Sequence, residues 1–214
     1  MPASWGGAML RGEIELRILP LLGWDGKTLV EARAWSATRM VACSLNETEH
    51  QRRSAVGPPP VADPVMLRCA LSSDPSFRDA PRPVAIAGAI AVRRTWEGAT
   101  ANLGGFSGFG ALVAVLPPRE AMKPIVELEA AVEGYGVVAW DGQDQARLVY
   151  SPDLRKRTSG RTWVHWLVEE ITYDALISNG HGNRVISARG RPNSASNAGC
   201  ANPRACSSRA RHSG

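Results

Sequence analysis

The sequence predicts an α+β protein: an antiparallel sheet with two helices on one face, and a disordered tail at the C-terminus. Three observations carry this. Two apolar runs of strand length, residues 135–139 and 146–150, flank Trp140-Asp141-Gly142, and Asp and Gly accept the positive φ angles that a hairpin turn requires. Two segments, Pro124–Glu133 and Trp163–Ser178, repeat apolar residues at helical spacing and run into Gly134 and Asn179-Gly180. From Asn179 onward both periodicities vanish, apart from Arg184-Val185-Ile186-Ser187.

Taken in order, residues 13–19 alternate Ile14, Leu16 and Ile18 with charge and predict a half-buried strand. A turn at Gly23-Trp24-Asp25-Gly26 leads to a second strand over 28–32, and the polar stretch 36–56 reads as loop or short helix. Residues 1–56 thus form an N-terminal strand–turn–strand segment that can join the same sheet. Residues 57–83 contain Gly57-Pro58-Pro59-Pro60, Asp63-Pro64, Asp74-Pro75 and Pro81-Arg82-Pro83, a proline density that predicts a linker or long surface loop.

The core domain is 84–178, read as strand, strand, helix, strand, strand, helix. Val84–Val92 and Ala111–Leu116 are continuous apolar runs of strand length, the second stopped by Pro117-Pro118. In the first helix Ile125, Leu128 and Val132 share one face, proline suits the first turn, and Gly134 supplies a left-handed C-terminal cap. After the hairpin a loop with Arg155-Lys156-Arg157 reaches Ser159 or Thr162 as the cap of the last helix. There Val164, Leu167, Val168, Ile171 and Ala175 form an apolar stripe. Trp24, Trp96 and Trp140 each open a Trp-acid-Gly turn, but their unequal spacing excludes a solenoid or propeller.

At 214 residues, 44% hydrophobic and 21% charged, the chain belongs to the globular class, and no apolar run approaches the roughly 18 residues of a membrane span. The first residues lack a basic region followed by an apolar one, so no signal peptide is expected and the cytoplasm is the expected location. Cys43, Cys69, Cys200 and Cys206 fit neither a disulfide framework nor a paired metal motif. The net charge of +5 has a local origin: residues 179–214 hold six arginines and no acid, which leaves residues 1–178 at −1.

The Gly-rich stretch 104–110 has neither phosphate-loop spacing nor the Gly-x-Ser-x-Gly of a hydrolase elbow. His165 and Glu169, at i and i+4, are the candidate catalytic pair, with Asp141 or Asp174 as a further carboxylate; the second histidine of a zinc motif is missing. Arg157, Arg161, Trp163 and Trp166, together with Trp140 of the hairpin, are the candidate binding residues, because aromatic rings beside arginine can cover a partner or ligand. No family-specific motif set is present, and no cofactor or metal is expected. The expected function is a non-catalytic module that binds a protein partner or ligand. The alternatives are a small hydrolase or metal-assisted enzyme built on His165 and Glu169, and a nucleic-acid binder using the basic loop and the Arg-rich tail.

Overall fold

The structure, a computed structural model, describes residues 7–35, 37–142, 145–153 and 162–180. Arg157 and Arg161 of the basic loop lie outside the described residues, as does the tail 179–214 expected to be disordered, except for Asn179 and Gly180. Six strands, β1 (Thr28–Ala34), β2 (Ala37–Leu45), β3 (Val84–Val92), β4 (Ala111–Leu116), β5 (Gly136–Trp140) and β6 (Ala146–Tyr150), form one sheet in sequence order. Eight described helices surround it. Four precede β3: α1 (Gly7–Arg17), α2 (Glu47–Val56), α3 (Pro64–Ser73) and α4 (Pro75–Asp79). The others are α5 (Trp96–Leu103), α6 (Pro118–Ala121), α7 (Pro124–Glu133) and α8 (Trp163–Ser178). Among the described residues no helix is long and apolar enough to cross a membrane.

The α+β class and the 140–142 hairpin are present, but the sheet is mixed rather than antiparallel. β3, β4 and β5 run parallel to one another, while β1–β2, β2–β3 and β5–β6 are antiparallel. The cause lies in the linkers. Thr95 accepts a hydrogen bond from Gly98 N–H and so caps α5, which makes Trp96-Glu97-Gly98 the first turn of a helix rather than a hairpin turn. A helix between two strands lets the chain return to the starting edge of the sheet, and the strands then align parallel.

Of residues 13–19, read as a strand, 13–17 belong to α1 and Ile18-Leu19 to the turn that follows it. Ile14 and Ile18 are both fully buried at i and i+4, whereas Leu16 is 71% exposed. An every-second-residue pattern contains an i,i+4 pair, and here the helical half of that ambiguity wins, helped by the Arg11–Glu15 and Glu13–Arg17 ion pairs. Across 37–83, β2 stands in the stretch read as loop or short helix, α2 is a short helix within it, and α3 and α4 occupy the proline-rich stretch. Pro64 and Pro75 open helices instead of breaking them, and the Asp63 carboxylate accepts from Val65 and Met66 N–H.

The two sheet faces carry separate cores. One, with Val30, Val41, Ala89, Ala114 and Val137, is covered by α5, α6, α7 and α8. The other, with Leu29, Ile90, Val113, Val138 and Trp140, is covered by Ile14, Ile18, Leu19 and Trp24. A third cluster of Leu67, Phe77, Trp166 and Leu167 fixes α3 and α4 against the back of α8. Helix α8 is therefore clad on both sides, which buries Glu169, Glu170 and Thr172 along with Leu167 and Val168, while Val164, Ile171 and Ala175 of the stripe are half-buried.

Candidate functional site

Among the described residues, those singled out in the sequence lie on different faces and at different depths. Trp140 is buried on the α1 side of the sheet, and Trp166 is buried against the Phe77 ring at 5.4 Å. Of these three tryptophans only Trp163 reaches solvent, 42% exposed, with the Arg68 guanidinium 5.4 Å from its ring. Glu169 is buried and paired with Arg82 at 3.2 Å. Asp141 lies exposed at the β5–β6 turn, and Asp174 borders an open groove of about 470 Å3 that also has Glu31 and Arg33 on its rim. Among the described residues no group of three or more His, Cys, Asp or Glu side chains is placed to hold a metal ion.

His165 leads to a different site. Its Nδ1 accepts from the Thr162 backbone N–H at 3.2 Å and lies 2.8 Å from the Thr162 hydroxyl, so it completes the cap of α8. With Nδ1 an acceptor, the neutral ring carries its proton on Nε2. The ring meets Phe109 edge-on at 4.9 Å; Phe109 in turn stacks on Trp35 at 5.6 Å and 27° and meets Phe106 at 5.3 Å. The result is a row of rings drawn from three elements: the β1–β2 turn, the Gly-rich stretch before β4, and the start of α8.

Trp35 is held in an uncommon conformation. Its φ is +49°, the one described non-glycine residue at positive φ, and its side chain is 48% exposed. A bulky side chain in the left-handed region is an outlier that the surroundings must enforce. Arg39 does the enforcing. Its buried guanidinium donates to Ala34 O at 2.8 Å, Ala37 O at 3.2 Å and Asn102 O at 2.8 Å, and so clamps both ends of the turn to α5. Burial pulls the Arg39 pKa down. Gly105 makes room for it, since a Cβ there would lie 2.9 Å from Nη2. Of the glycines in 104–110, Gly105 and Gly110 thus serve close packing and Gly108 takes a positive φ.

A second constellation is buried between α2 and α8. Arg53 donates to Glu49 and Glu170, each at 2.9 Å, and its guanidinium lies over the Phe77 and Tyr173 rings. Glu170 also accepts from Val61 N–H at 3.1 Å, and His50 Nδ1 lies 2.9 Å from the Tyr173 hydroxyl. Burial lowers the Arg53 pKa, but the hydrogen bonds and charges of Glu170 and Glu49 outweigh it, and the net shift is upward. All five of these polar side chains come from two helices and are closed off from solvent, which makes this an anchor rather than an open site. In comparison with known proteins, the chain matches no family model, no curated protein and no solved structure.

Proposed function

We propose that the protein is a non-catalytic binding module that engages a protein partner through the row Trp35, Phe109 and His165. Trp163 extends the same end of α8. The observation that carries this reading is the backbone of Trp35: the fold spends conformational energy to present an indole half out of the protein, on a turn clamped by a buried arginine. Exposed aromatic rings held rigid lose little entropy on binding and bury large areas, the property of residues that dominate interface energy. Arg157 and Arg161 precede Thr162 in the sequence, so the chain leading into α8 carries positive charge. For the hydrolase reading, by contrast, His165 Nδ1 is already an acceptor from the α8 cap, and Glu169 is committed to Arg82.

The test compares the full chain with Trp35→Gly in a native-lysate pull-down. Glycine accepts the positive φ, so the variant keeps the turn while removing the ring and the strain it carries. The expected result is a discrete stoichiometric protein retained by the wild type and lost from Trp35→Gly, with thermal unfolding within a few degrees. Equal retention by both proteins overturns the assignment to this row. Nucleic acid retained by the wild type and released by salt would move the activity to the basic segments.

A further inference from the structure

Strand β1 is an edge of the sheet, and its outer side opens onto the groove beside α8. Leu29 N–H donates to the Glu15 carboxylate at 2.9 Å, so it points away from β2. Backbone direction alternates along an antiparallel pair, and the N–H and C=O groups of Glu31 and Arg33 therefore point outward too. An open strand edge is a template for one more strand. The facing wall of the groove consists of Ala62 and of Ile171, Asp174, Ala175 and Ser178. A slot between a strand edge and a helix suits a single extended segment.

The course of the chain selects the occupant. Asn179, which ends α8, is itself on the rim of the groove, and Gly180 takes a φ of +76° that turns the chain out of the helix direction. From Gly180 to residue 184 the backbone reaches about 13 Å when extended. There the sequence places Arg184-Val185-Ile186-Ser187, the one strand-like run between 179 and 214. We infer that residues 184–187 lie in this groove as an added edge strand, paired with Glu31 and Arg33 of β1. Charge and alternation decide which way the run faces. Val30 and Ala32 turn their side chains to the α8 side, so Glu31 and Arg33 turn theirs to the other face of the sheet. The α8 wall offers the exposed Asp174 beside the half-buried Ile171 and Ala175. Arg184 and Ile186 share one face of a strand and match that wall, base to acid and apolar to apolar. Val185 and Ser187 then take the face of Glu31 and Arg33, which keeps Arg184 away from Arg33. Residues 179–214 contain no acid for Asp174 or Glu31 to repel. Attachment to α8 holds the run at a high effective concentration, which lets so short a contact form.

The test is amide hydrogen exchange of the full chain, followed by NMR. The Glu31 and Arg33 amides of the wild type are expected to exchange on the order of tenfold more slowly than those of Ile186→Asp, at every protein concentration. A circular dichroism melt within a few degrees of wild type checks that the rest of the fold is intact. Arg184→Asp and Asp174→Arg should each speed exchange at the same two amides, and the two together should slow it again, because the opposite charges are restored. Equal exchange in wild type and Ile186→Asp overturns the inference. So does protection that grows with protein concentration, which would put a second copy on the edge, or a combined variant no better protected than either single one.

Discussion

Position 35 is where a single residue conflicts most with its backbone. A side chain in the left-handed region costs about 1–2 kcal/mol, while the Trp35–Phe109 stack returns about 0.5–1.5 kcal/mol. The two terms separate by substitution. Trp35→Ala removes the ring and keeps the strain, whereas Trp35→Gly removes both. Glycine should therefore be the more stable of the two by about 1 kcal/mol, the reverse of their usual order within regular structure. Chemical denaturation of both variants measures the difference, and alanine matching or exceeding glycine would remove strain from the account of this turn. Glu49 gives a second residue-level prediction. Hydrogen bonds from Arg52 hold its carboxyl below the ordinary 4.5, burial opposes them, and Arg53 adds to the lowering. A carboxyl with a lowered pKa in the folded state stabilises the fold above its unfolded pKa, and that contribution fades as the pH falls through the folded value. Glu49→Gln should thus be less stable than wild type near neutral pH, with the gap narrowing between roughly pH 5 and pH 3. A gap that stays constant over that range would show that the ionised form of Glu49 contributes nothing.

Among the elements, those with paired signals at both ends were legible in the sequence, and those with an ambiguous period were not. Helices α7 and α8 were bounded to the residue, because Pro124, Gly134 and Thr162 each mark an end and the structure puts Gly134 at φ +75°. Strand β4 is buried on both faces along its whole length, so its continuous apolar run signals a central parallel strand. That signal was present, but taking 96–98 as a turn left no crossover helix to use it. In α7 the helical spacing shows that Ile125, Leu128 and Val132 lie together but not which stripe meets the sheet, and the structure gives that side to Val126 and Ala130. The α2–α8 anchor was missed because its halves are far apart in sequence, although Asn46 with Glu49 three residues on, and Glu49 with Arg53 four on, spell a capped helix. That anchor is testable as a unit. Arg53→Met leaves Glu170 buried with the Val61 N–H but no cation, takes one of two arginines from Glu49, and should cost about 3–5 kcal/mol, while Glu49→Leu/Arg53→Met/Glu170→Leu, which removes all three buried charges, should recover most of the loss. A triple variant no better than the single one would mean that packing by the arginine stem, not charge, holds α2 to α8.

For the whole molecule the question is which stretch of chain can fold alone. The sequence sets 84–178 apart as a core domain bounded by the prolines of 57–83. In the structure β2 pairs with β3 along Met40–Ile90 to Leu45–Val84, and α8 lies across β1 and β2 as well as β3. Removing residues 1–83 would expose the β2-facing edge of β3, uncover part of α8, and leave Glu170 buried without Arg53 or Val61 N–H. It would also take away Ile14, Ile18 and Trp24, which cover the second face of the sheet. Each loss falls on groups that are buried in the whole chain, and the sum exceeds the few kcal/mol by which domains of this size are stable. A fragment of residues 84–178 should therefore unfold without a cooperative transition, while residues 1–180 should melt within a few degrees of the full chain. Thermal circular dichroism of the two fragments decides it. A cooperative melt from 84–178 would make the first 83 residues an accessory to a self-sufficient core, and the aromatic row would then join two units through the contact of Trp35 with Phe109.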